Sequence, residues 1–263
     1  MNVVQIAGGV GNQIFQYAFA KAQMVKGVDV SCTPPWPGWK WPHPRRYVLD
    51  KFHTDVATHS LIKGNRRVVE RSFQVRNRCL YNLQWLNLSD CNFEGYWQYM
   101  PYYKNILPLL EKELWVKEEF YTKQFLNMRQ RILDSESVSI HVRRTDYVGN
   151  KAYGAFPLSY YLDAVQHVEG DLFIFSDDMS WCREHFKRDY FTRKITFVHL
   201  IEYLDFELMR LCKHNVSANS TFSYWASLLN PNPDKTVVIS GKWLADKEVD
   251  NDELHFPKEW IKL

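Results

Sequence analysis

The chain has 263 residues, room for one large or two compact domains. Apolar side chains make up 46% of it, enough to bury a core. A net charge of only +3 argues against a nucleic-acid partner.

The opening segment reads as a strand over residues 2–6, a glycine turn over 7–11 and a helix from about 12 to 26. A second strand follows over 28–32. The segment carries no basic region and no long apolar run, so neither a signal peptide nor a membrane span is expected, and the expected location is cytoplasmic. The turn includes Gly9-Val10-Gly11, the start of a dinucleotide fingerprint, with Asp29 at a suitable distance. Ile14 occupies the third position, where a small residue is needed for helix and strand to close up, so a nicotinamide-cofactor reading is weak.

Residues 33–44, TPPWPGWKWPHP, hold too many prolines for regular structure and read as a stiff loop. It serves either as a rigid surface loop or, through Trp36, Trp39 and Trp41, as a lid or sugar platform. Next comes a basic stretch with Lys63, Arg66, Arg67, Arg71, Arg76 and Arg78 and Glu70 as its only acid. It is either a solvated face or a surface for anionic lipid or a pyrophosphate-bearing acceptor. Helical periodicity is plausible over 101–133.

From residue 138 short apolar runs recur at 138–142, 172–175, 195–198, 215–218 and 236–239. Helix-like segments lie between some of them, notably 158–167 and 205–212. This alternation predicts a parallel sheet covered on both faces, with ligands beyond the carboxyl ends of its strands. An acidic stretch over 246–253 reads as a surface tail. The five cysteines, Cys32, Cys79, Cys91, Cys182 and Cys212, are odd in number and lack C-x-x-C spacing, which points to reduced thiols and away from structural zinc. Sequons at Asn87, Asn215 and Asn219 would be accidental in a cytoplasmic chain.

Four constellations carry candidate chemistry. The run His141-Val142-Arg143-Arg144-Thr145-Asp146 sends a strand directly into two arginines, whose planar donor forks suit phosphate oxygens. A structural Arg–Asp pair at a strand end explains them equally well. The run 214–226 reads as a buried strand, a hydroxyl-rich turn and an apolar helix, with Ser220 or Thr221 as helix cap or anion ligand. Asp205 could offer two acceptors to the N1–H and 2-amino group of guanine, or cap a helix. Asp177-Asp178 could hold a divalent cation, but a helix cap near Met179 is the favoured reading.

Together these segments resemble the bacterial α-1,2-fucosyltransferases, glycosyltransferase family 11. The resemblance rests on GGVGNQIFQYA near the start, GYWQ at Gly95–Gln98, HVRRTDYV at 141–148, FSDDMSWC at 175–182 and LMRLCKHNVSANSTFSYWASLLNP at 208–231. It implies an α/β fold of the GT-B type, two Rossmann-type domains facing a cleft. An acceptor-side domain over 1–134 would precede a GDP-fucose-binding domain over 135–263, with the carboxyl-terminal tail packing back on the first. It further implies an inverting, metal-independent transfer of L-fucose from GDP-β-L-fucose to O2 of galactose in a glycan, as in O-antigen synthesis. The acceptor could be lipid-linked, met at the inner face of the cytoplasmic membrane. His141 and Arg143 would contact the donor with Arg144 beside them, Asp205 would read guanine, and Ser220 and Thr221 would hold phosphate or fucose. Gly11, Asn12 and Gln13 would face the cleft from the first domain. The general base is not identified by the resemblance; Asp146 and Glu94 are candidates. Thr145 stands where many members have glycine, and the chain is short. A fucosyltransferase of another linkage or acceptor, an oxidoreductase and a non-catalytic glycan-binding module are the alternatives.

Overall fold

The fold is seen in a computed structural model, which describes residues 1–34, 45–58, 66–69, 82–151, 153–187, 189–241 and 256–263. The Trp/Pro-rich loop from residue 35, the acidic tail, Cys79, and Lys63, Glu70, Arg71, Arg76 and Arg78 of the basic stretch lie outside the described residues. The chain divides into two compact units, Met1–Trp115 with Glu253–Phe256 and Val116–Asp252 with Pro257–Leu263.

The first unit is built on a parallel sheet of four strands in the order β2-β1-β4-β3. These are β1 Asn2–Gln5, β2 Val30–Thr33, β3 Arg66–Val69 and β4 Cys91–Glu94. Helix α1, Val10–Val25, is buried nearly all round, down to Lys21 at 3% exposure. A buried ammonium must be paired, and Lys21 Nζ lies 2.5 Å from both Asp55 Oδ1 and Glu113 Oε1. Phe19 of α1 stacks on Trp97 at 4.3 Å, with Phe93 and Tyr102 edge-on to it. That packing holds Trp97 at φ +58°, a left-handed conformation costing an L-residue about 1–2 kcal/mol.

The second unit holds a parallel sheet in the order β10-β9-β8-β5-β6-β7. Its strands are β5 Ser137–Val142, β6 Asp171–Ser176, β7 Ile195–Val198, β8 His214–Ser217, β9 Val237–Ile239 and β10 Ile261–Lys262. The helices are α2 Leu107–Glu113, in the first unit, then α3 Lys123–Leu133, α4 Leu158–Ala164, α5 Met179–His185, α6 Glu202–Leu211 and α7 Thr221–Leu228. All six residues of β5 are buried, as expected of a central strand covered on both faces. Over 101–133, where helical periodicity is plausible, the chain forms α2, α3 and short 3-10 turns. Helix α3 packs on α6, so the divide falls before it, at 115/116, whereas the sequence placed it at 134/135. The expectation for the tail is met in part. Phe256 counts with the first unit, but β10 pairs with β9 in the second sheet.

Asn215 and Asn219 are buried, and Asn215 is locked by bonds to Ser139 Oγ, the Met209 carbonyl and Asn230. Neither sequon is accessible in the folded chain. Cys32, Cys91, Cys182 and Cys212 are buried free thiols.

Candidate active site

Parallel register explains how the motifs meet. β5 and β6 pair His141 with Phe175 and Val142 with Ser176. Continuing that register past the strand ends sets Arg143 beside Asp177 and Arg144 beside Asp178. Both pairs form: Arg143 Nη1 lies 2.9 Å from Asp177 Oδ2, and Arg144 Nε lies 3.3 Å from Asp178 Oδ2. The structural Arg–Asp pairing at the strand end is therefore present for both arginines.

The two arginines are held differently. Arg143 also places Nη2 2.5 Å from Asp146 Oδ1, so both terminal nitrogens meet carboxylates. Arg144 is held by its backbone N–H, which donates to Asp177 Oδ1 at 2.9 Å, and by Nε. Its guanidinium carbon sits 4.0 Å over the ring of Trp181. Among the described residues neither Nη of Arg144 has a partner.

Asp177 is crowded with donors. Burial alone would raise its pKa, but the Arg143 guanidinium, the Thr145 hydroxyl and the Arg144 N–H outweigh it and hold the carboxyl below its usual range. Thr145 Oγ1 reaches Asp177 Oδ2 at 2.5 Å, a bond that glycine at this position would lack. Asp178 caps α5, accepting from the Trp181 N–H at 3.0 Å, as the favoured cap reading expected.

His141 is 5% exposed and its Nδ1 has no partner. Burial pushes its pKa down to about 3, against the pull of Asp177 and with the push of Arg143, so the ring is neutral. It lies 5.4 Å from the ring of Phe222, in the first turn of α7. Phe206 of α6 meets the same ring edge-on at 5.7 Å. Phe222 thus brings together the β5 end, the α6 turn carrying Asp205 and the start of α7. Tyr147 adds a second tie by donating to the Asn219 carbonyl at 3.2 Å.

Ser220 is the α7 cap and accepts from the Phe222 N–H at 3.3 Å, while Thr221 is half-buried at the first helical position. Asp205 is not the cap of α6, since Ile201 holds that place. Its Oδ1 turns back to accept from the Leu200 N–H at 3.0 Å. At 8% exposure, burial raises its pKa to about 7, with Glu202 adding to the rise and the Leu200 bond opposing it.

In the first unit, Gly8 takes φ +82°, and a Cβ there would come 2.8 Å from Asn12 Nδ2, so the turn requires glycine. Gly11 and Gln13 are buried. Gln13 does not reach solvent; its amide donates to the Gly8 and Arg46 carbonyls and accepts from Val48 N–H. Asn12 accepts from Gln98 Nε2 at 2.9 Å, and Gln16 donates to the Gly95 carbonyl at 2.9 Å. The GNQ turn and the GYWQ segment are therefore one hydrogen-bonded unit. Glu94, one candidate base, is bound by Arg67.

Thr145, Tyr147, Asp177 as an arginine partner, Trp181 and Phe222 were not found as site residues from sequence. The equal spacing of RR and DD from their strands was the available signal for Asp177.

The profile of Glycosyl transferase family 11 matches residues 44–263. The chain belongs to glycosyltransferase family 11. It is 27% identical to the alpha-1,2-colitosyltransferase of Escherichia coli, covering 99% of this chain and 98% of that one. It is 31% identical to the O-antigen biosynthesis glycosyltransferase WbnK of Escherichia coli, covering 77% and 70%. Galactoside alpha-(1,2)-fucosyltransferase 1 of Leontopithecus chrysomelas is 28% identical over 48% of this chain and 38% of its own. Among solved structures, NodZ alpha-1,6-fucosyltransferase co-crystallized with GDP superposes with a TM-score of 0.54 at 12% identity, over 88% of this chain and 92% of that one. That likeness establishes a GT-B-type fold for the family 11 chain. Membership makes it a glycosyltransferase and displaces the oxidoreductase and lectin readings. Among the described residues no helix is long and apolar enough to cross a membrane.

Proposed function

We propose that the chain transfers L-fucose from GDP-β-L-fucose, with inversion and without a metal, to O2 of a galactose residue in a surface polysaccharide such as O-antigen. The observation that carries this reading is the open fork of Arg144, fixed at the carboxyl end of a central strand. As the glycosidic bond breaks, charge grows on the pyrophosphate, and fixed donors there lower the barrier by about 3–4 kcal/mol each. Arg143 supports the same charge, and neutral His141, Ser220 and Thr221 complete the donor side. Asp205, when ionised, accepts from N1–H and the 2-amino group of guanine. Asp177 and Asp178 each have both oxygens engaged by described groups, whereas Asp146 keeps Oδ2 without one. Asp146 is accordingly the carboxylate we assign to take the acceptor proton. Exposed Arg66 and Arg67 on β3 support a lipid-linked acceptor met at the inner membrane face.

Thermal shift tests the donor. GDP at about a hundred times its dissociation constant adds roughly 2.7 kcal/mol, and ADP or NAD should add nothing. A shift with ADP equal to that with GDP would remove the guanine reading. The colitosyltransferase relative favours a second reading, in which the transferred sugar is colitose, which lacks the 3-hydroxyl of fucose. Competing GDP-fucose against GDP-colitose on β-galactosides decides between them.

A further inference from the structure

We infer that Trp181 is a positioning residue for transfer: it sets the plane of the Arg144 guanidinium so that its two Nη groups meet the donor pyrophosphate. The inference rests on the proposed reading of Arg144 as a pyrophosphate ligand.

The geometry singles out one side chain with two functions. Asp178 splits its carboxylate: Oδ1 accepts the Trp181 N–H at 3.0 Å and Oδ2 lies 3.3 Å from Arg144 Nε. The same group that starts α5 therefore ties the Trp181 backbone N–H and the Arg144 guanidinium to one carboxylate. The Asp178 N–H is itself fixed, donating to Ser176 Oγ at 2.9 Å. With its backbone N–H on Asp177, its Nε on Asp178 and its guanidinium over Trp181, Arg144 keeps its two Nη groups without a partner among the described residues. A guanidinium whose carbon sits 4.0 Å over an indole cannot swing away from the ring without losing that contact. Trp181 is backed in turn by His185, whose ring stacks on it at 4.1 Å and whose Nδ1 lies 2.8 Å from the Trp181 carbonyl. Arg143 differs: its guanidinium carbon lies farther from a ring, 5.3 Å from the centre of Tyr147, and its terminal nitrogens meet Asp146 and Asp177.

Trp181 also packs against the apolar core of the second sheet, so a loss on mutation could reflect folding alone. A double-mutant cycle separates the two roles. GDP affinity is measured by calorimetry for the wild type, Trp181→Leu, Arg144→Ala and the double variant, with Trp181→Phe as the conservative control. Trp181→Leu is expected to weaken GDP about tenfold, or about 1.4 kcal/mol. Trp181→Phe, which keeps an aromatic face, should stay within about threefold, and Trp181→Leu should cost nothing further once Arg144 is alanine. Equal losses in both backgrounds, or an unchanged affinity in folded Trp181→Leu, would overturn the positioning role while leaving the pyrophosphate reading intact. An Arg144→Ala variant binding GDP like the wild type would overturn both. If Trp181→Leu fails to fold, Trp181→Met serves: its long flexible side chain fills more of the space but offers no ring face, with the same expected pattern.

Discussion

Arg143 and Asp177 form a 2.9 Å ion pair across the ends of two neighbouring parallel strands, and a second carboxylate, Asp146, holds the other terminal nitrogen of the arginine. Arg143 is thus both a donor ligand in the proposed reaction and the counter-charge of two acids. Arg143→Ala should cut transfer about 10²–10³-fold. It should also lower stability by about 1–2 kcal/mol, because half-buried Asp177 loses a partner while keeping Thr145 and the Arg144 N–H. Initial rates and urea melts on the same preparation check both; near-wild-type turnover in the folded variant would end the proposed role.

Asp205→Asn should separate stability from binding. The carboxyl is raised from the ordinary range to about 7. Between those values the folded state binds more protons than the unfolded one, so this group's contribution to stability is lost as pH rises through about 7. Asparagine removes the buried charge and still accepts from Leu200. At pH 8 the variant should melt about 2–4 °C higher, the equivalent of about 1 kcal/mol, yet bind GDP more weakly. In the wild type, GDP affinity should climb with pH through about 7, and in the variant it should be flat. A wild-type affinity indifferent to pH between 6 and 8, measured by calorimetry, contradicts the guanine contact.

Asp146→Asn tests proton removal. Asparagine can accept from the Arg143 guanidinium but cannot take a proton, so kcat should fall about 10²–10⁴-fold. GDP affinity should stay within about threefold, because the pyrophosphate donors remain in place. Unchanged kcat would assign the proton to another acceptor.

Gln13→Ala addresses the first unit. The Gln13 amide satisfies two carbonyls and the buried Val48 N–H, a structural duty. Its loss should destabilise the chain by about 1–3 kcal/mol without changing GDP affinity. A variant that melts normally but binds GDP poorly would restore the cleft-facing role expected from sequence.

The central strands of the second sheet were legible because a strand covered on both faces must be apolar throughout, as 138–142 and 172–175 are. Helix α1 was legible within two residues from its glycine turn. Strands β3 and β4 were not, since RRVV and CNFE have neither the length nor the apolarity of a buried strand; β3 lies at the sheet edge, and β4 is fixed by pairing on both sides. The plausible helical periodicity over 101–133 is met by two separate helices, because its apolar residues recur too irregularly to share one face. Local sequence sufficed to place two arginines at a strand end and a hydroxyl at a helix cap, because those depend on neighbours in the chain. Which acid holds which arginine, which arginine keeps an open edge, and that Gln13 is buried were decided by strand register and packing, which join residues 33–35 positions apart and leave no local trace.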